Sequence, residues 1–468
     1  MAPLSLLAYR ALGALALGPA LILPTLRGRF GTRWPERLGN TLAGGGGPLW
    51  LHAASVGESG SSLAILQALR DQGFTAPVLL SAATPTGLDL LEEAIKAPAP
   101  DLANSQANSL ANSPALLGPQ TQISAPPLDF LGAPGRFLDR VAPRALVVIE
   151  TEIWPELYHQ CRLRSIPVLM LSARLSRRSH GRLGRFRRFI GQTLAVPALA
   201  ATIGQTDLEF LTDLGLDPAK AAALGSPKFD RLVAQAQAGL AAHKAHDLSG
   251  PWPQPPLILA GSTHPGEEVP ILAAALRLSG KGLDSGPAWA IAPRHLTRLT
   301  EVLRLIESFG WTPSLYSETE SLRPEPGQVT VVDRMGLLAS LYGQGDLAIV
   351  GGSFVDGGTG HNPLEPAAAG KPVFFGPHMD SFKAEAEALI ARGAAITAPK
   401  NLLADALSPF LDDPQKSRQA GLAGLRYLAE KPVVAPALAS LVIDYLSEPA
   451  PDGPRKALDR LRALAQRP

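Results

Sequence analysis

Short, uninterrupted apolar runs recur along this chain, and stretches of helical period separate them. In the first half Leu49–Ala54, Val78–Ala83, Leu146–Glu150 and Val168–Ala173 read as strands, with helix-period segments such as Gly60–Gln72 and Ile153–Arg162 between them. In the second half the strand-like runs are Leu257–Gly261, Ala288–Ala292, Val329–Val332, Leu347–Val350 and Val373–Gly376. Runs that do not alternate with polar residues predict parallel strands covered on both faces. The class is therefore α/β, built as two doubly wound, Rossmann-like domains facing a central cleft. The pattern sets the domains at 27–235 and 257–440, with a linker over 236–256 that ends in Pro251-Trp252-Pro253-Gln254-Pro255-Pro256 and a helical tail over 441–468.

Two segments break the rhythm. Residues 97–127 carry Ala103-Asn104-Ser105, Ala107-Asn108-Ser109 and Ala111-Asn112-Ser113, flanked by prolines. Such a polar repeat has little to bury, so it predicts a disordered or loosely packed insertion. At the other extreme, Ala11 to Leu26 is almost wholly apolar, interrupted by Pro19 and Pro24, with Arg10 before it and Arg27, Arg29, Arg33 and Arg37 after it. The run falls short of the roughly 20 apolar residues a spanning helix needs. If the segment inserts, the arginines that follow place the downstream domain on the cytoplasmic side. Residues 1–26 are thus expected to form an inserted or monotopic membrane anchor. A cleaved signal peptide and a buried amphipathic helix of the first domain are the alternatives.

The bulk numbers add limits. At 468 residues the chain is long enough for two ordinary domains. A net charge of +2 carries no nucleic-acid signature, so no nucleic-acid partner is expected. The single cysteine, Cys161, excludes an internal disulfide framework and a cysteine-based zinc site. No HExxH or CxxC occurs, and no metal or cofactor is expected.

The candidate chemistry lies just after the predicted strands. Ser55-Val56-Gly57-Glu58-Ser59 follows the first strand, so Glu58 can face the cleft at a strand's carboxyl edge and accept a proton from a hydroxyl; helix capping explains it equally well. Glu150-Thr151-Glu152-Ile153-Trp154-Pro155 occupies the same edge of a later strand, where two close carboxylates are costly unless solvated or hydrogen-bonded. Arg174, Arg177, Arg178, Arg182, Arg185, Arg187 and Arg188 form a cationic run suited to phosphates, or simply a solvated face. Lys228, in Gly225-Ser226-Pro227-Lys228-Phe229-Asp230, falls near the domain junction. In the second domain Ser262-Thr263-His264, Pro293-Arg294-His295 and Asp333-Arg334-Met335-Gly336 each follow a strand. Gly351-Gly352-Ser353 and Gly360-His361-Asn362-Pro363-Leu364-Glu365-Pro366 follow another. A glycine-rich loop leading to a helix start favours phosphate, and the Glu365 carboxylate suits sugar hydroxyls.

In combination and order these motifs resemble the Kdo (3-deoxy-D-manno-octulosonic acid) transferases of lipopolysaccharide biosynthesis. The resemblance runs from the apolar start to about residue 440 and excludes the Asn-Ser insertion. It rests on Ser55-Val56-Gly57-Glu58, Thr151-Glu152-Ile153-Trp154-Pro155, Ala173-Arg174-Leu175-Ser176, Lys228-Phe229-Asp230, His361-Asn362-Pro363-Leu364-Glu365-Pro366 and Gly376-Pro377-His378, together with the Ser262, Pro293 and Gly351 motifs. It implies a GT-B fold, a CMP-Kdo donor bound by the second domain, and a lipid A precursor (a tetraacyldisaccharide bisphosphate) as acceptor at the inner membrane. It further implies Glu58 as catalytic base, and Glu152 and Lys228 in transition-state stabilisation. Pro293, Arg294, Met335, Gly336, Leu337, Asn362, Pro363, Leu364 and Glu365 match the CMP-binding segments. The chain departs from the family pattern at Leu337, where the family usually carries Glu, and in Phe354–Gly360, one residue longer than usual. Other readings of the same motifs are a nucleotide-sugar epimerase of this architecture and a non-catalytic nucleotide-sugar or lipid-binding protein.

Overall fold

A computed structural model describes residues 6–11, 13, 33–40, 46–96, 120–130, 132–244, 252, 254–279, 286–448 and 452–466. The expectations for 14–26 of the apolar start, 97–119 of the insertion and 245–251 of the linker lie outside these residues. The chain divides into two compact units, Met1–Asp230 together with Val433–Pro468, and Arg231–Pro432.

The first unit is built on β1 (Leu49–Ala53), β2 (Val78–Ala82), β3 (Thr121–Ser124), β4 (Ala145–Ile149), β5 (Val168–Ala173), β6 (Leu199–Thr202) and β7 (Ala221–Ala223). They pair in parallel in the order β3-β2-β1-β4-β5-β6-β7. All residues of β1, β2, β4 and β5 are buried, which is why their sequences read as continuous apolar runs. The second unit repeats the plan with β8 (Leu257–Thr263), β9 (Ala288–Pro293), β10 (Thr312–Leu315), β11 (Gln328–Val331), β12 (Leu347–Val350), β13 (Val373–Phe375) and β14 (Ala395–Thr397). Its order is β10-β11-β9-β8-β12-β13-β14, again all parallel. The chain reverses its winding between β1 and β4 in one sheet and between β8 and β12 in the other. Each reversal opens a crevice at the carboxyl ends of the strands, where such sheets bind ligands.

Three expectations are corrected. The stretch over 441–468 is helical but is no tail: the helices Ala435–Ser447 and Asp452–Ala465 pack into the first unit, Leu438, Leu441 and Val442 joining Leu66 and Leu69 in one buried cluster. The break after the first unit comes at Asp230 rather than within 236–256, because the helix Asp230–Lys244 runs on from the motif of Lys228. The end of the insertion is packed. Thr121–Ser124 forms the edge strand β3, and the Ser124 hydroxyl and Ala125 amide donate to the Glu36 carboxylate at 3.1 and 2.5 Å.

Residues 6–11 are helical and lie on the first unit, with Leu6 buried. No helix among the described residues is long and apolar enough to cross a membrane.

Candidate active site

Glu58 sits where β1 hands over to the helix Val56–Asp71. Ser55 is extended and caps that helix, its hydroxyl oxygen accepting from the Glu58 amide, while Ser55 Oγ donates to Glu58 Oε1 at 3.1 Å. The amide of Ala54 donates to Oε2 at 2.5 Å. The exchange is a variant of the capping box in which the carboxylate takes the amide one residue before the N-cap. The capping reading of Glu58 is thus realised, and it fixes the carboxylate at the strand end without exhausting it, since a carboxylate has about four acceptor positions.

Across the switch point, β4 is followed directly by Glu150, whose φ is +61°. A left-handed conformation at a residue with a Cβ is strained by about 1–3 kcal/mol, and such strain gathers at functional sites. The turn sends the chain into Thr151, whose hydroxyl accepts the Arg174 amide at 2.8 Å, and on to Glu152. Glu152 Oε2 accepts Trp154 Nε1–H at 2.5 Å, and the Tyr158 hydroxyl donates to the Glu152 carbonyl at 2.9 Å. The Trp154 ring meets His52 edge-on, centroids 4.9 Å apart. His52 is fully buried; its Nδ1 lies 2.8 Å from Ser81 Oγ, which also accepts Trp50 Nε1–H at 2.7 Å. Burial, then the Arg37 charge, holds the imidazole pKa down at about 3, so it is neutral.

These carboxyls share one field. Burial raises Glu150, the Glu58 charge raises it further, and Arg174 and Lys228 oppose. Glu152 is also raised by burial; the Trp154 hydrogen bond pulls it back, and Glu58 and Glu150 push it up. Lys228 is exposed on the short turn Pro227–Phe229, its amide donating to Ser226 Oγ at 3.3 Å. Glu58, Glu152 and Lys228, chosen from sequence, thus meet in one electrostatic neighbourhood, and Glu150 and Arg174 join them. The remaining arginines behave as a solvated face: the helix Arg177–Gly184 buries no side chain, and Arg187 pairs with Asp213 at 3.1 Å.

In the second unit a cavity of about 330 Å³ opens at the other switch point. Of the nine residues expected to bind nucleotide, Pro293, Arg294, Met335, Gly336, Asn362 and Glu365 line it, with Ser262, Arg334 and His361 beside them. Leu337, Pro363 and Leu364 are not in the lining: Leu337 caps the short helix Leu338–Leu341, and Pro363 and Leu364 are buried at the start of Leu364–Ala368. Asn362 Nδ2 donates to Glu365 Oε1 at 3.3 Å, and burial raises Glu365. Gly261 is required by close approach, since a Cβ there would lie 2.1 Å from the Tyr342 hydroxyl. His264 and His361 place their Nε2 atoms 2.8 Å apart. Burial, then the positive charges of His264, Arg294 and His295, pushes His361 down to about 4.

The amides that open the glycine-rich loop after β12 are taken up inside the protein. The amides of Gly352, Ser353 and Phe354 donate to the buried Glu267 carboxylate at 2.6, 2.9 and 2.8 Å, and the His264 amide does so at 2.8 Å. Glu267 was invisible as an anchor, because Glu267-Glu268 reads as an acidic helix start. Its neighbour Glu268 is also buried, held by Arg298 through bonds of 2.8 and 3.1 Å. Among the described residues no group of three or more His, Cys, Asp or Glu could hold a metal ion.

Residues 32–231 match the family model described as 3-deoxy-D-manno-octulosonic-acid transferase (kdotransferase). The 3-deoxy-D-manno-octulosonic acid transferase of Bordetella pertussis is 33% identical over 385 residues, 81% of this chain and 81% of its own. That of Haemophilus influenzae is 30% identical over 403 residues, 85% of this chain and 87% of its own. The solved C-terminal CMP-Kdo binding domain of WaaA from Acinetobacter baumannii is 25% identical, covering 42% of this chain and 99% of that one with a TM-score of 0.35.

Proposed function

The chain belongs to the 3-deoxy-D-manno-octulosonic-acid transferase family, and on that premise we propose that it moves Kdo from CMP-Kdo to a lipid A precursor in one inverting displacement. It is a glycosyltransferase of lipopolysaccharide synthesis. In this reading the cavity of the second unit takes CMP. Glu365 accepts from the ribose hydroxyls, and the guanidinium of Arg294 faces the phosphate. The leaving group gains negative charge as the sugar–phosphate bond breaks, and fixed cations stabilise that charge without reorganising. The departing sugar has oxocarbenium character. An acceptor hydroxyl attacks and passes its proton to Glu58, whose spare lone pairs remain after the capping bonds. Glu152 and Lys228 stabilise the charges that develop there. The GT-B architecture, the tetraacyldisaccharide bisphosphate acceptor and attachment to the cytoplasmic face of the inner membrane are parts of the same proposal.

The observation that carries the reading is the carboxylate group at the first switch point, Glu58, Glu150 and Glu152 with Arg174 and Lys228 acting on it. Glu58→Gln keeps the shape and one acceptor oxygen but removes the proton acceptor. Turnover should fall at least a hundredfold with CMP affinity unchanged. CMP release by this variant at the unmodified rate would remove Glu58 from the reaction. CMP release that does not require acceptor would show hydrolysis of the donor, and conversion of the donor with no net CMP release would favour an epimerase.

A further inference from the structure

The helix Pro155–Leu163 begins three residues after Glu152, and its start is held from far away in sequence. Trp154 gives it no side-chain cap. Instead Asp129 accepts the amides of Glu156 and Leu157 at 3.1 and 2.7 Å, and the Tyr9 hydroxyl donates to the same carboxylate at 2.8 Å. Glu156 is 1% exposed and takes Arg10 in two bonds, 2.7 and 2.9 Å, with Gln160 adding a third at 2.8 Å. Leu6, one turn back, is buried, and the Tyr9 ring packs on Phe189 at 5.7 Å. The helix in turn holds the catalytic loop. The Tyr158 amide donates to the Trp154 carbonyl at 3.0 Å, and its hydroxyl to the Glu152 carbonyl.

A segment that only tethers a protein to lipid needs no such contacts. A two-point guanidinium–carboxylate bond with one partner buried is geometrically demanding, and it is costly unless its geometry is good. We propose that Tyr9 and Arg10 are positioning residues for Glu152, fixing the first turn of Pro155–Leu163 and through it the loop that presents the carboxylate. The N-terminal segment is then part of the catalytic unit and not only its attachment. The inference rests on the role given to Glu152 above.

The test uses the full chain, CMP-Kdo and an acceptor dispersed in detergent, so that attachment to a membrane cannot limit the rate. Arg10→Ala should lower kcat five- to tenfold well below its melting temperature, with the KM for CMP-Kdo unchanged, because the donor cavity lies in the other unit. Arg10→Lys should recover part of the loss, since an ammonium meets the carboxylate at one point only. Tyr9→Phe, which keeps the ring on Phe189, should cost two- to threefold and serves where Arg10→Ala fails to fold. In a Glu152→Gln background Arg10→Ala should add nothing. Unmodified kcat in both Tyr9→Phe and soluble Arg10→Ala overturns the inference, and so does the same fold loss in an impaired Glu152→Gln background. Full activity of Glu152→Gln alone is a different result, which removes Glu152 from the reaction.

Discussion

Glu267 shows how a single buried side chain can hold a site it never touches. Its two oxygens accept four amides, three of them from successive residues of the loop after β12. Glu267→Ala leaves those donors buried and unpaired, at about 1–3 kcal/mol each before relaxation. The second unit should lose roughly 3 kcal/mol or more, read as a lower urea midpoint, and CMP affinity should fall with it because His361 rides on the same loop. Unchanged stability would mean that water replaces the carboxylate. His52 gives a pH signature. Its pKa is depressed in the folded state to about 3, so between about 6.5 and 3 the unfolded chain binds the extra proton. Its contribution is present above the unfolded value and is lost as pH falls. Between pH 7 and 5 this single group should remove about 2 kcal/mol of stability, and His52→Phe should flatten that slope. A slope equal to the unmodified protein's would put the titration elsewhere. Neither role was legible beforehand. A histidine inside an apolar strand and an acid in a helix's first turn have ordinary explanations, and only the fold brings Ser81 and the loop amides to them.

At the scale of elements, legibility followed burial. Strands covered on both faces wrote themselves as apolar runs, and β1, β2, β4, β5, β8, β9, β11, β12 and β13 were all expected. The strands not expected are short and weakly coded: β7 is three alanines, β6 is Leu-Ala-Ala-Thr, β10 is Thr-Pro-Ser-Leu and β14 is Ala-Ile-Thr. Alanine and proline have low strand propensity, so pairing with a neighbour, not intrinsic preference, makes these extended. The edge strand β3 went the same way, hidden behind a polar repeat. It therefore divides the insertion. Deleting 99–118 should leave the melting temperature within a few degrees, because shortening a loop changes its closure entropy by only about 0.6 kcal/mol per factor of two in length. Deleting 99–124 removes β3 and the Ser124 bond to Glu36, and should lower the melting temperature clearly. Equal behaviour of the two deletions would show that β3 contributes nothing.

At the scale of the whole molecule, the chain leaves its first unit at Asp230 and comes back to it at Val433. The return is secured at once. Asp230, the last residue out, accepts the amides of Val434 and Ala435 at 2.9 and 2.6 Å. Val434 packs beside Gly225, whose φ of +113° and 3.0 Å clearance suit glycine alone. The helix Ala435–Ser447 then buries Leu438, Leu441 and Val442 against the helix Val56–Asp71, at the back of the element that presents Glu58. Folding of the first unit is thus contingent on residues that follow the whole of the second unit in the chain. A fragment ending at Pro432 has every strand of both sheets, yet it should expose the apolar side of Val56–Asp71 and lose roughly 1.5–3 kcal/mol for each large side chain no longer covered. With a typical stability of about 5–15 kcal/mol, several such losses are enough to unfold the unit. The fragment 231–432 keeps its own core and should fold by itself and bind CMP. Circular dichroism and calorimetry of the two fragments decide it. A fragment 1–432 whose first unit melts cooperatively would show the returning helices to be dispensable. Its rescue by a separate 433–468 peptide would show that the helices stabilise Glu58's helix by packing alone, without needing covalent continuity through the second unit.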